Sequence, residues 1–325
     1  MTISLNQPGY FAADAVGDET ADFYREQGYC VVHGAVSQAE RGELLAETVA
    51  ICRGRRGPLH QSGWGTPPEN LPTPEQCRTL SDDEILTRFL CIHHPHKFSE
   101  VMHRFLAHPV IVDVLTRGIG PDVKCMQSML FIKSAGKPGQ AWHQDEDYIP
   151  TRDRTLAGAW IALDDAVVDN GCLWLIPGSH RPGVLWPQYP HDDPRFDCAR
   201  EAYDFPFSDG DAIAAEVPAG SIVFFNGYLL HRSLPNRRTT GYRRTLVNHY
   251  MSARSLLPWH VEPGQPVATA DYRDIVMVAG QDPYAYKGTA DIATPHVRPA
   301  GQGGCGDGRV DLATWKSRQT AGATP

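Results

Sequence analysis

Three side chains able to share one divalent metal stand at His143, Asp145 and His231 of this 325-residue chain. His143 and Asp145 are two positions apart, shortly after a β-prone run from Met126 to Lys133. In extended backbone, residues i and i+2 point to the same face, so an imidazole nitrogen and a carboxylate oxygen converge there. His231 comes after the apolar run Ser221-Ile222-Val223-Phe224-Phe225 and the segment Asn226-Gly227-Tyr228-Leu229-Leu230, at the edge of a buried strand. Two histidines and a carboxylate on one face form the triad associated with non-haem Fe(II), which leaves positions open for a co-substrate and O2. A closed four-ligand site would be structural, whereas three ligands invite chemistry.

The His-x-Asp pattern is weak by itself. With fourteen histidines in the chain, it arises by chance about once in a sequence of this length. His191-Asp192-Asp193 is a second copy, and His260-Val261-Glu262 resembles it; both lie in irregular, proline-flanked segments and are expected to be solvated loop residues. His93-His94-Pro95-His96 crowds three imidazoles around a proline, where they cannot easily face one point.

The first copy is set apart by the residues downstream of His231. Ser233 comes two positions later, and Gly241-Tyr242-Arg243-Arg244 opens the next strand. A guanidinium inside a barrel needs a carboxylate, and its fork matches the far carboxylate of a bound 2-oxo diacid. Ser233 adds a hydroxyl donor to the same group. Adjacent strand residues face opposite ways, so only one of the two arginines can serve.

These residues need a scaffold of strands. Glu19 to Gln27 reads as a helix stopped by Gly28, Tyr29 to Val32 as a strand, and Ser37-Gln38-Ala39-Glu40 as the capping box of a helix through about Ile51. A second box at Ser81 leads a helix through about Leu90, and Pro109 starts an apolar helix. From about Val123 the pattern changes to short β-rich runs: Lys124–Lys133, Ala157–Leu163, Cys172–Ile176, Ser221–Phe225 and Arg243–Tyr250. Glycine, proline and asparagine turns separate them, which suggests a sandwich or barrel. The expected layout is one domain: a mainly helical part over about 15–122, a β core over 123–255 interrupted by an insertion at 181–211, and an irregular segment over 256–325. The Gly- and Pro-rich stretch 53–74, with Arg53, Arg55 and Arg56, reads as a loop, either a cover over a site or a plain surface loop.

Composition limits the partners. With 42% apolar and 21% charged residues the chain can bury a sizeable core, and a net charge of −8 with no basic block argues against nucleic acid. No apolar run approaches the length of a membrane span, and no signal peptide is visible. The eight cysteines are scattered without a Cys-x-x-Cys, as in a reduced cytoplasmic protein.

The sequence resembles the phytanoyl-CoA dioxygenase family of Fe(II)/2-oxoglutarate oxygenases over roughly Asp22 to Lys287. The pieces that carry the resemblance are Met126 to Leu130, Trp142-His143-Gln144-Asp145, Trp160, the run Asn170 to His180, and His231 through Arg243. The resemblance implies a double-stranded β-helix (jelly-roll) core with iron on His143, Asp145 and His231. It also implies that Arg243 and Ser233 bind the 2-oxoglutarate carboxylate and that Trp160 and Met129 line that pocket. The segment from Asn236 to Gly241 is one residue longer than the family pattern, which brings Arg244 into question; the Gly-Tyr-Arg order favours Arg243. A further basic residue from the helical half belongs to the family pattern and has no assigned counterpart here. Related halogenases carry a small residue where this chain has Asp145, so hydroxylation of an unactivated C–H bond is expected.

Gln127, Trp142, Tyr148 and Trp174 flank the triad in sequence and are candidates for contact with a small-molecule substrate. A homo-oligomer is compatible with these features. Two other classes compete: a non-redox cupin-like metalloenzyme (isomerase or hydrolase), which would not need Arg243 and Ser233, and a metal-free jelly-roll binding module, which would leave His143 and Asp145 without a role.

Overall fold

Capping residues and glycines set the first boundaries in the computed structural model, which describes residues 3–57, 60–61, 71–197, 200–255, 275–290, 293–299 and 310–321. After β1 (Tyr10–Ala12), helix α1 (Asp18–Gln27) stops at Gly28, whose φ of 79° is the left-handed value glycine adopts without strain. β2 (Tyr29–His33) leads to α2 (Gln38–Cys52), where the Ser37 hydroxyl accepts from Glu40 N and the Glu40 carboxylate accepts from Ser37 N. β3 (His60–Gln61), α3 (Gln76–Thr79) and α4 (Asp82–Leu86) come next, α4 with the same box at Ser81.

Helix α4 does not reach Leu90. It ends at Leu86, and Phe89–His93 forms strand β4. Phe89, Leu90, Cys91 and Ile92 are all buried, and a short run that is apolar on both faces carries no period to separate helix from strand. Helices α5 (Glu100–Arg104) and α6 (Pro109–Gly118) complete this half.

The β core then runs β5 (Val123–Ser134), β6 (Gln140–His143), α7 (Asp145–Tyr148), β7 (Ala157–Ala162) and β8 (Leu173–Leu175). The hairpin β9 (Gln188–Tyr189) and β10 (Glu201–Ala202) lies in the insertion. β11 (Ile213–Ala215), β12 (Ile222–Asn226), β13 (His231–Ser233) and β14 (Tyr242–Ser252) close the core. The C-terminal segment, expected to be irregular, supplies β15 (Val276–Ala279), β16 (His296–Pro299) and α8 (Leu312–Ala321).

The large sheet has the order β1-β2-β12-β7-β14-β5-β4-β16-β3, with β15 also on β5; the small sheet has the order β11-β8-β13-β6. From β5 to β14 the chain passes back and forth between the two, all pairs within the core being antiparallel. This is the expected jelly roll. Trp160, Val223, Phe225 and Val247 of the large sheet meet Leu173, Leu175 and Ala215 near the small one. On the outer side of the large sheet, Leu130, Ile161, Phe224 and Leu246 pack against Leu44, Ile51, Leu106 and Leu115 of the helical half. Each such side chain is worth about 1.5–3 kcal/mol when buried, so the helices are what allows that sheet face to be apolar. Among the described residues no helix is long and apolar enough to cross a membrane.

Candidate active site

Strand β6 ends at His143, Gln144 stays extended (φ −127°, ψ 126°), and Asp145 begins α7. Asp145 therefore leaves the strand, yet the extended Gln144 keeps it on the face of His143. His231 lies directly opposite His143 across the β6–β13 pair, with the two rings 4.1 Å apart. His143 Nε2 is 3.6 Å and His231 Nε2 3.7 Å from Asp145 Oδ1. The other nitrogens face main-chain carbonyls: His143 Nδ1 lies 2.7 Å from Ala141 O, and His231 Nδ1 2.9 Å from Leu229 O. A carbonyl can only accept, so each Nδ1 carries the hydrogen and each Nε2 lone pair is left for a metal. Among the described residues this is the one group of three such donors within 4.8 Å of one another. Two imidazoles and a carboxylate around an open side fit Fe(II).

The electrostatics agree with that use. Burial alone would raise the Asp145 carboxyl; the electrostatic pull of the surrounding His231, His249 and His143 rings, with a hydrogen bond from His249, outweighs it and holds the group well below its ordinary value. Burial, with His143 beside it, pushes His231 down to about 4 against the pull of Asp145, which keeps the ring neutral. His249 on β14 is a residue the sequence reading missed. Its Nε2 lies 3.0 Å from Asp145 Oδ2 and donates to it, which leaves Oδ1 for the histidine side. The signal was available: an even spacing from Arg243 along one strand puts both side chains on the same face.

Between the sheets, the triad shares a cavity with Met129, Trp160, Ser233 and Arg243. Arg243 is 3% exposed, stacks over Trp160 at 5.4 Å, and donates through Nη1 to Thr245 Oγ1 at 3.2 Å. Its Nε has no partner, and burial lowers the guanidinium to about 10. Arg244 points the other way and is fully engaged, with Nε and Nη2 at 2.8 and 2.7 Å from the Asp164 carboxylate. The geometry thus leaves Arg243 as the arginine with a free fork. Among the described residues the helical half contributes nothing to the cavity lining, and none of them is placed as the basic residue expected from that half.

The substrate candidates fare differently. Trp142 and Trp174 lie on the outer face of the small sheet, where Arg232 stacks between them at 4.5 and 5.8 Å and pairs with Asp209. Each sits next to an inward-facing residue, so strand alternation turns it outward. Gln127 is buried on the inner face opposite His249, but outside the cavity lining. Tyr148 is at the rim, its ring 6.3 Å from that of His143 and its hydroxyl on Gln188 Oε1. Arg53 is committed to Asp82 and Arg56 to Glu47; residues 58–59 and 62–70 of the proposed cover lie outside the described residues.

Of the other histidines, His93 stacks on His296 and His96 Nδ1 lies 2.6 Å from Ser128 Oγ, with no convergence on one point. His191 is buried between Tyr189 and Phe196 rather than solvated, because the insertion folds over it. His260 and Glu262 lie outside the described residues.

The remaining motif residues support the site. Gln144 is fully buried; its amide donates to Val184 O and Tyr228 O and accepts from Trp186 N. Ser179 Oγ accepts from Leu230 N, beside His231, and Gly178 N donates to Gln27 O at the end of α1. Asn170 Oδ1 accepts from Val167 N, closing the turn before β8.

Comparisons with known proteins agree with this architecture. The sequence profile of the family described as phytanoyl-CoA dioxygenase (PhyH) matches residues 24–245. The peroxisomal phytanoyl-CoA dioxygenase of Rattus norvegicus is 29% identical over 244 residues, covering 72% of this chain and 68% of that protein. Phytanoyl-CoA dioxygenase of Arabidopsis thaliana is 37% identical over a shorter stretch of 113 residues, 34% of this chain and 38% of that one. Among solved structures, the non-heme monooxygenase ThoJ superimposes with a TM-score of 0.59 at 21% identity, covering 93% of this chain and 94% of its own. The carbocyclase SnoK from nogalamycin biosynthesis, titled as alpha ketoglutarate dependent, gives 0.54 at 20% identity over 79% of this chain and 93% of its own. The two structures speak for the fold, and the profile match across most of the jelly roll settles the kinship: the chain belongs to the phytanoyl-CoA dioxygenase family.

Proposed function

We propose that this enzyme is an Fe(II)- and 2-oxoglutarate-dependent dioxygenase that hydroxylates, or otherwise oxidises, an unactivated C–H bond of a small molecule and releases succinate and CO2. One observation carries the reading. An open face of His143, Asp145 and His231 shares a cavity with a buried guanidinium, Arg243, that is paired with no carboxylate among the described residues. A buried cation without a counter-ion is costly, and a dianionic co-substrate supplies the missing charge.

His143, Asp145 and His231 would hold the iron, which supplies activation of O2 coupled to decarboxylation of 2-oxoglutarate. Arg243 and Ser233 would receive the far carboxylate of 2-oxoglutarate, directing its 2-oxo acid end towards the triad. Trp160 backs the guanidinium and, with Met129, keeps water from its flanks. His249 holds Asp145 by Oδ2 and so would leave Oδ1 as the oxygen available to the iron. The carboxylate at Asp145 favours hydroxylation over halogenation. A non-redox metalloenzyme or a metal-free binding module would have no use for the uncompensated Arg243.

We also read the chain as one oxygenase domain, since β2 and β4 from the N-terminal part and β15 and β16 from the C-terminal part are strands of the same large sheet. A cytoplasmic location is proposed on Cys30, Cys52, Cys125 and Cys172, buried free thiols as in a reducing compartment.

The test is an anaerobic titration of the protein with Fe(II) and 2-oxoglutarate. A weak visible metal-to-ligand charge-transfer band is expected, and succinate should form once oxygen is admitted. Absence of both from folded protein would sink the reading.

A further inference from the structure

Lys133 has no part in the chemistry described so far, yet it sits on the inner face of β5 directly across from Arg243 on β14. Its side chain is 3% exposed. Nζ donates to Ser233 Oγ at 3.0 Å and to Leu234 O at 2.9 Å. No carboxylate lies within ion-pair distance of it among the described residues; the ion pairs of this region belong to Arg244 and Arg232. A buried guanidinium and a buried amino group thus flank Ser233, and among the described residues neither is paired with a carboxylate.

The serine makes this arrangement directional. A hydroxyl has one hydrogen. If Lys133 is an ammonium, Ser233 Oγ can only accept from it, and the serine hydrogen must turn towards an acceptor elsewhere. The cavity that Ser233 lines with Arg243 is the open direction. If Lys133 is a neutral amine, its lone pair can take the Ser233 hydrogen instead, and the serine is lost as a donor to the cavity. The protonation of Lys133 therefore biases the serine: only the ammonium holds Ser233 Oγ strictly as an acceptor and keeps its hydrogen available to a carboxylate.

Resting on the oxygenase reading above, we propose that Lys133 is a positioning residue for 2-oxoglutarate: its ammonium sets Ser233 as a donor to the far carboxylate, and binding of the co-substrate is coupled to proton uptake at Lys133. The groups facing its side chain support the direction of that coupling. Burial first, and then the Arg243 guanidinium, push the lysine well below its ordinary value, against the weaker pull of Asp197 from the insertion and Cys172 before β8. A carboxylate arriving at Arg243 and Ser233, beside Lys133, offsets the guanidinium's charge and favours the ammonium. By linkage, 2-oxoglutarate then binds more weakly as pH rises through the lysine's value in the bound state.

The experiment is isothermal titration of anaerobic Fe(II)-loaded protein with 2-oxoglutarate, in buffers of different ionisation enthalpy and across a series of pH values. The wild type should take up protons on binding, with affinity falling on the alkaline side. Lys133→Met should abolish the uptake, flatten the alkaline limb and weaken binding by roughly 10- to 100-fold. Lys133→Arg should restore affinity in part without restoring the pH dependence, because a guanidinium stays charged. Binding by the wild type with no proton exchange, or Lys133→Met with an unchanged proton count, overturns the proposal. The wild-type measurement decides the matter even if both variants fail to fold. If the wild type does not bind 2-oxoglutarate at all, it is the oxygenase reading that falls.

Discussion

Arg243 and Arg244 are chemically identical neighbours with opposite fates. Arg244 holds Asp164 with two side-chain bonds and a main-chain one, on the outside of the strand. Arg243 is buried with its fork largely unspent. Arg243→Ala is expected to raise the KM for 2-oxoglutarate at least tenfold, since a charge-assisted pair to a carboxylate is worth about 1.5–3 kcal/mol. Arg244→Ala should leave that KM within about twofold and lower thermal stability instead, because Asp164 is left without its partner. Steady-state kinetics with melting curves separate the two, and the reverse order would show the register to be wrong. The same alternation of faces explains what the sequence could tell at this scale. His143, Asp145 and His231 were legible from strand parity, but Trp142 and Trp174 were read by proximity in sequence, where parity turns them outward. His249 and Lys133 escaped notice because their partners, Asp145 and Ser233, lie on strands far away in the chain.

At the scale of elements, turns decide where these side chains stand. Gly171 has a φ of 83°, and a Cβ there would lie 2.3 Å from Leu234 O and 3.1 Å from Lys133 Nζ. The turn before β8 is therefore closed against the strand end that carries Ser233. Gly171→Ala combines backbone strain with that clash and should cost about 1–3 kcal/mol. Because Leu234 is the residue that moves, the KM for 2-oxoglutarate should rise while kcat at saturation changes little. Denaturant unfolding and kinetics check the two parts, and a variant with unchanged stability would refute the clash. Capping boxes at Ser37 and Ser81 and the alternating strands of the core were legible in the sequence because each depends on local chemistry. β4 was not: Phe89 to Ile92 are buried on both sides, and it is pairing with the neighbouring β5 and β16 that makes that run a strand. For the same reason β15 and β16 could not be seen, as their pairing with β5 and β4 is wholly non-local.

For the molecule as a whole, the triad joins β6, α7 and β13, and the two charged side chains deeper in join β5 and β14. Iron and co-substrate therefore bind the assembled jelly roll and not its separate parts, so they must stabilise it. At a hundredfold excess over Kd, a ligand adds about 2.7 kcal/mol. For a chain of this size that corresponds to roughly 5 °C in Tm. Anaerobic melting with Fe(II) and 2-oxoglutarate together should show that rise, and a chelator should remove it; an unchanged Tm would mean that the site is not formed as described. Gln144 carries a different consequence, one for redesign. Its side chain ties the middle of the His143-Gln144-Asp145 tripeptide to Val184 and Trp186 of the insertion, and to Tyr228 before β13. An insertion grafted from another protein to alter what the enzyme accepts would have to offer a carbonyl and an N–H at the places of Val184 and Trp186. One that does not would strand a buried amide between His143 and Asp145, the proposed iron ligands, and the graft would be paid for in iron affinity before any change of specificity was seen.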